Sequence, residues 1–320
     1  MSETNGQPIQ NRYDFVLFFD VTDANPIDPE TGQGLVTDVC LKRKVRNYVA
    51  LSREDAERYH IYVTERAILN QQHEKAYAAV NEGKDKKEQV KPSKNLPKDA
   101  ARARELTQWM CHNFFDIRAF GAVMTTDVNC GQVRGPVQFG IARSLHPIVS
   151  QDISVTRCAV TTEREAEKQE GGNRTMGRKF AVPYALYRVH GYINPNLADG
   201  EKGTGFSEID LELLKEALDR LFEFDASAAR PPGSMKPVAC VAFKHDKKLG
   251  NARADQLFKR VTSLPKPGIQ PLPNQRDDQG NPVEPKADDR PARSAEDYVI
   301  AIDEADLPAG VSVERWVDWG

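Results

Sequence analysis

Residues 13–21, YDFVLFFDV, run almost without a polar break and are bounded by turn formers. Such a run reads as a strand buried on both faces, so the chain must supply cover for two sides of a sheet. Residues 22–37 are dense in Asp, Asn, Pro and Gly and read as a loop. Thr37 is then expected to cap a helix, TDVCLKRKVRNYV, with Val39, Leu41, Val45, Tyr48 and Val49 facing a core.

From Ser52 to about Phe115 the pattern is helical and highly charged, with a capping-box-like start from Ser52 to Asp55. A polar break, NEGKDKKEQVKPSKNLPKD, divides it, and Leu106, Trp109, Met110 and Phe114 give the second half one packing face. Two strand-like runs, ISVTRCAVTT and KFAVPYALYRVHGYI, are joined by a polar stretch with Gly171, Gly172 and Gly177, which predicts a hairpin with an extended tip. SEIDLELLKEALDRLFEF follows as an amphipathic helix carrying Leu211, Leu214, Leu218, Leu221 and Phe222 on one stripe, and PVACVAF as another buried strand. Setting the helical insertion aside leaves strand, helix, strand, strand, helix, strand. That order predicts an α+β chain of ferredoxin-like or RNA-recognition-motif fold. Residues 265–292 are expected to be exposed, and YVIAID and VSVERWVDW to return as edge strands.

The net charge of −3 hides an uneven distribution. Residues 271–306 hold ten acids against four Lys or Arg, so the remainder sums to +3. Local patches decide electrostatic binding, and a basic working surface is compatible with this total. The five cysteines (40, 111, 130, 158 and 240) are scattered and include no C-x-x-C, and the six histidines form no zinc-ligand spacing. Free thiols, no metal and no cofactor are expected. The polar N-terminus MSETNGQPIQ and the lack of a long apolar run predict a cytoplasmic protein without a membrane partner.

Lys42, Arg43, Lys44 and Arg46 lie within two helical turns, with Asn47 beside Arg43 at i, i+4. Like-charge neighbours on a helix cost about 0.2–0.5 kcal/mol each, and no acid is expected to offset them there. An anion outside the helix, such as an RNA phosphate, is the functional reading, and a solvated helix face is the bland one. Arg134, Gln138 and Arg143 sit in the glycine-broken GQVRGPVQFGIAR and read as phosphate donors or as an ordinary turn with surface arginines. In the hairpin tip, Arg164, Lys168, Arg174, Met176, Arg178 and Lys179 form either a basic wedge over RNA or a solubilising loop. No P-loop, G-x-S-x-G or dinucleotide fingerprint is present. Asp20, Asp23, Asp28 and Asp38 could in principle bind a metal, although turn formation and capping account for them more simply. His146 and His190 have no nucleophile pattern nearby.

YDFVLFFDV followed by NPIDPETGQGLVTDVCLKRKVRNYV resembles the backbone subunit of type I-C CRISPR surveillance complexes, Cascade, in the repeat-associated RNA-binding superfamily. FFDIRAFGAV, GQVRGPVQFGIARSLHPI, VPYALYRVHGYINP, TGFSEIDLELLKEAL and FDASAAR extend the resemblance in order through most of the chain. The first loop is shorter than in many relatives. The resemblance implies a hand-like, non-enzymatic antiviral subunit. Residues 1–50 begin the palm, 51–150 form the helical fingers and return to the palm, and 151–193 form the palm hairpin with a thumb tip at 163–179. Residues 194–264 complete the palm, 265–292 are the acidic Pro-rich segment, and 293–320 are C-terminal strands. By the same resemblance, identical subunits are expected to stack head to tail on a guide RNA together with the other subunits of the complex, with target DNA read by pairing with the guide. The palm residues Lys42, Arg43, Lys44, Arg46 and Asn47 then meet the guide backbone, and the tip around Arg174 and Met176 interrupts the heteroduplex. Two rival readings are a metal-dependent ribonuclease acting through Asp23 or Asp28, as in related type III subunits, and a guide-maturing endonuclease, for which no suitably partnered His is visible.

Overall fold

The structure, a computed structural model, describes residues 6–23, 26–54, 56–157, 159, 162–168, 176–225, 230–231 and 233–319. Strand β1 (Tyr13–Asp23) leads through β2 (Gln33–Val36) into helix α1 (Asp38–Ser52). An insertion follows, with helices α2 (Leu69–Asn81), α3 (Ala100–Asn113) and α4 (Phe115–Phe120) and the ribbon β3 (Gly121–Thr125) and β4 (Asn129–Arg134). The chain returns as β5 (Val137–Phe139), β6 (Ala142–Pro147), β7 (Gln151–Thr156), α5 (Glu163–Lys168) and the long β8 (Met176–Ile193). It continues with α6 (Pro195–Ala198), α7 (Glu208–Asp219), β9 (Pro237–His245) and α8 (Ala254–Lys259). β10 (Val261–Pro265), β11 (Tyr298–Ile302) and β12 (Val311–Val317) complete it.

Among the described residues the main sheet is antiparallel, in the order β12-β9-β1-β8-β6-β2, with β5 and β7 also paired to β8. The chain is therefore a mixed α+β protein, and β1 lies inside its sheet as its apolar run requires. Successive side chains of a strand point to opposite faces. Tyr13, Phe15, Leu17, Phe19 and Val21 enter one core with Leu41 and Val45 of α1 and Leu211, Leu214 and Leu218 of α7. Val16 and Phe18 enter a second core with Val241, Phe243, Leu257, Phe258 and Tyr298. The second layer is built by α8 and the separate two-stranded β10–β11 sheet. A third core, with Tyr77, Leu106, Met110, Ile117, Met124 and Cys130, belongs to the insertion.

Several sequence expectations are corrected. Thr37 occupies the N-cap position of α1, but its side chain makes no capping bond, and only its carbonyl accepts from Cys40 and Leu41. Leu41, Val45, Tyr48 and Val49 are buried as expected, but Val39 is exposed and Lys44 takes a place on the inward stripe. Ser52 ends α1 instead of starting a helix, and α2 begins only at Leu69. VSVERWVDW does supply the edge strand β12, but YVIAID pairs with β10 outside the main sheet. The polar break falls between α2 and α3 as read, and Ser207 with Asp210 forms a complete capping box on α7. Cys111, Cys130 and Cys240 are buried free thiols with pKa values raised by that burial, and Cys158 lies outside the described residues.

Asp20 faces the second core, where burial pushes its pKa up to about 6 against the opposing hydrogen bond from the Lys236 amide at 2.7 Å. A carboxyl with a raised folded-state pKa adds stability that is fully present below its unfolded value and lost as pH rises through about 6. Asp20→Asn is therefore expected to raise stability at pH 7.5 by roughly 1–3 kcal/mol, with the gain vanishing near pH 4. Urea titrations at the two pH values check this; a gain of equal size at both would remove the ionised carboxylate as its source.

Candidate nucleic-acid interface

The cationic cluster of α1 is built partly inward and partly outward. Lys44 is buried and ion-paired with Asp225, which also lies 3.5 Å from Arg230. Arg46 donates from Nε to Asp116 at 2.8 Å, and Asp116 also accepts from the amides of Tyr62 and Val63. Lys42 bridges the Asp38 carboxylate at 2.9 Å and the Gln138 carbonyl at 3.0 Å. Phe120, at the end of α4, lies under both cations, with its ring centre 5.7 Å from Lys42 Nζ and 5.4 Å from the Arg46 guanidinium. Arg43 is exposed and Asn47 half-buried. The expectation that no acid offsets this cluster is thus corrected: Asp38, Asp116 and Asp225 neutralise three of its members and orient them.

Gln138 joins α1 to the returning strands. Its Nε2 donates to the carbonyls of Phe120 and Gly135, each at 3.2 Å, so its Oε1 is turned toward Lys42. Gly135 allows this crossing, since a Cβ there would lie 2.3 Å from the Ala119 carbonyl and from the Gly121 amide. Arg134, paired with Gly121 across the β3–β4 ribbon, stands exposed next to this corner. Arg43 and Arg134 have no carboxylate within ion-pairing distance among the described residues, so the corner presents two outward cations beside the partly occupied Lys42. Arg143 is apart from them: it pairs with Asp28 at 2.8 Å across the β2–β6 edge.

The hairpin is a two-stranded ribbon, β7 against β8, in register from Gln151↔Ala181 to Thr156↔Met176. Met176 is 69% exposed, and Arg178 pairs with Asp152 at 3.2 Å. Ile153, Val155 and Phe180 are also exposed, so the ribbon offers apolar and cationic groups to solvent together. Lys179 is half-buried and Arg164 is exposed on α5. Arg174 and the side chain of Lys168 lie outside the described residues.

Of the four candidate aspartates, the three described in full each have a structural task. Asp20 holds the Lys236 amide, Asp28 pairs with Arg143, and Asp38 pairs with Lys42; the Asp23 side chain lies outside the described residues. Among the described residues no three His, Cys, Asp or Glu converge as metal ligands, and no helix is long and apolar enough to cross a membrane. His146 is held between the Tyr298 hydroxyl at 2.7 Å and the Gln270 carbonyl at 2.8 Å.

A family profile described as CRISPR-associated protein Cas7 matches residues 11–303. The chain belongs to the Cas7 family. A CRISPR-associated protein Cas7 of Haloferax volcanii is 24% identical over 234 residues, covering 64% of this chain and 62% of the relative, so the alignment spans less than two thirds of that Cas7. Two solved chains are similar. One, from a CRISPR RNA-guided surveillance complex in a pre-nicking state, has TM-score 0.42 and 14% identity over 72% of this chain and 78% of its own. The other, from a CRISPR RNA-guided surveillance complex, has TM-score 0.35 and 15% identity over 72% and 68%.

Sequence reasoning missed Phe120, Asp116 and Asp225 as parts of the Cas7 chain's cationic corner. Asp116 and Asp225 are 70 and 181 residues from their partners, so no local pattern carries them. The Asp38–Lys42 pair, by contrast, is an i, i+4 spacing that was open to inspection.

Proposed function

We propose that the chain holds a guide RNA by its backbone, without catalysis, as the repeating subunit of an RNA-guided antiviral complex of type I-C that targets DNA through the guide. The observation that carries this is the corner where Arg43 and Arg134 stand exposed beside Lys42 and Phe120, in a chain of the Cas7 family. Such a surface neutralises phosphates without reading bases, as a guide of variable sequence demands. The strand order β9-β1-β8-β6, with α1 and α7 on one face, supports a ferredoxin-like palm of the RNA-recognition-motif type. The insertion with its own core fits fingers at 51–150, and the exposed β7–β8 ribbon fits a thumb whose tip is 163–179. The remaining divisions follow: palm at 1–50, 151–193 and 194–264, an acidic segment at 265–292 and closing strands at 293–320. Identical copies stacked head to tail, with other subunits of the complex, are its partners in the cytoplasm. The ribonuclease reading gains no support from Asp28, which is held by Arg143 and by the Glu30 amide.

Arg46 keeps the buried Asp116 paired, and its removal mixes binding with stability. The cleaner test replaces Lys42 and Arg43 by Ala. Affinity for guides of any sequence is expected to fall, and the slope of log K against log salt to shallow by about 0.7 per lost phosphate contact, or about 1.4 for both. Filter binding across a salt series reads this out; an unchanged slope would mean that the face is merely solvated. Deleting the tip within 163–179 is expected to leave a folded subunit, because the described part of that loop is largely exposed. Native mass spectrometry should then show nearly unchanged binding of one subunit to a short RNA, and fewer or irregular assemblies on a long guide. Regular assembly by the deleted protein would remove the thumb assignment.

A further inference from the structure

On the sheet face away from α1 and α7, strands β6 and β8 form the floor of an open groove of about 1010 Å³, and α8 and β10 form its wall. Arg188, His190 and Tyr192 alternate along β8 and all line it. Arg143 stands directly opposite Arg188 in the β6–β8 ladder, and like charges in that position repel. Arg143 is balanced by Asp28. Among the described residues Arg188 has no carboxylate partner: its Nη2 donates to the Phe258 carbonyl at 2.7 Å, the group lies 5.7 Å from the Phe18 ring centre, and its buried Nε meets no hydrogen-bond acceptor.

Burying an unbalanced cation is costly, and desolvation drags the Arg188 pKa down accordingly. His190 shares the arrangement. Its ring stacks on Phe258 at 4.0 Å and 12°, its buried Nε2 has no hydrogen-bond partner among the described residues, and burial holds its pKa at about 4, so it is neutral at pH 7. Tyr192 meets Phe258 edge-on at 5.7 Å and remains 39% exposed. Lys259 is exposed on the wall; Asp255, one turn earlier on α8, also lines the groove, but its carboxylate is paired with Arg253 at 2.9 Å.

We propose that this groove is a second nucleic-acid site, taking a short run of single-stranded nucleic acid with phosphate against Arg143, Arg188 and Lys259 and a base on the open face of Tyr192. An acidic protein segment would satisfy the cations but would leave the aromatic face unused, whereas a nucleotide uses both. The groove also continues from the first surface: Tyr192 is the direct ladder partner of Gln138, which holds Lys42. The inference rests on the proposed function only for the class of ligand.

The test uses the full chain and a short thymidylate strand carrying 4-thiothymidine. Photocrosslinked adducts, mapped by mass spectrometry, are expected on His190 or Tyr192. Tyr192→Leu and Lys259→Ala, both at exposed positions, should each lower crosslinking at β8 several-fold, and Arg188→Gln should lower it about tenfold, in the range that stacking or one charge contact contributes. In direct binding titrations, an abasic strand should lose its dependence on Tyr192 and keep its dependence on Lys259. Adducts confined to α1 and Phe120 would overturn the proposal, as would groove variants that crosslink like wild type. Equal losses for abasic and thymidylate strands in Tyr192→Leu would overturn it too, by marking a site for any polyanion. Arg43→Ala separates the two surfaces: it should weaken binding at α1 and leave adducts on β8, so the failure of either reading is seen by itself.

Discussion

Arg118→Met is expected to destabilise the protein by about 3–5 kcal/mol, the cost of stranding one partner of a buried ion pair. Arg118 and Asp210 are each 1% exposed and bonded twice, at 2.7 and 3.0 Å. The guanidinium also donates to the carbonyls of Arg58, Cys111 and His112 at 2.9–3.1 Å, so methionine would orphan three acceptors as well as a carboxylate. Asp210 is at the same time the N3 partner in the capping box of α7, accepting from the Ser207 amide and hydroxyl. The pair therefore ties α4 of the insertion to the start of α7, beneath the main core. Urea denaturation should show a lower midpoint with an unchanged m-value. Arg118→Met combined with Asp210→Asn should recover part of the loss, because no unpaired charge remains while the amide oxygen can still cap. A double variant as unstable as the single one would mean that the carbonyls, not the charge, dominate.

Gly135→Ala should have the second largest effect and should reach function too. The added methyl group would lie 2.3 Å from the Ala119 carbonyl, the Gly121 amide and the Phe120 carbonyl carbon, all backbone atoms with little freedom to yield. Overpacking of this kind costs about 1–3 kcal/mol, occasionally more. Because Gln138 is anchored on the Phe120 and Gly135 carbonyls, the same displacement shifts the group that orients Lys42. RNA affinity should therefore fall even at temperatures where the variant is fully folded. Gly140→Ala is the control: its Cβ would meet only the His190 carbonyl, at 3.6 Å, and both stability and affinity should stay near wild type. Equal behaviour of the two variants in thermal melts and RNA titrations would show that the crossing is looser than the contacts imply.

What was legible in the sequence was what short-range pattern encodes. The buried run of β1, the stripe of α7 and the paired β7 and β8 all follow from periods of two or three to four residues and from turn chemistry. The cover on the second face of β1 was implied by its apolar run, but its source was not: Leu257, Phe258 and Tyr298 come from far along the chain. For the candidate site, the cations of α1 were visible, and their directions were not. Lys44 turns inward because its aliphatic stem packs beside Leu41 and Val45 while Asp225 receives its charge, and charge counting has no access to that pairing. The groove had a signal that went unused. Arg188, His190 and Tyr192 stand two apart in a strand, a spacing that puts three polar or aromatic groups on one face.

Strand β8 runs from the exposed ribbon into the heart of the sheet as eighteen continuous residues. Along one edge it is bonded to β1 from Ala181 to Ile193, and along the other it meets β7, β6 and β5 in succession. A pull on its outer end therefore acts along the strand, across rows of hydrogen bonds that share the load, and does not peel them open one at a time. The ribbon is a stiff lever on a deep mounting: a load applied at Met176 is taken up by the same rows of bonds that hold Arg188 and Tyr192 in place.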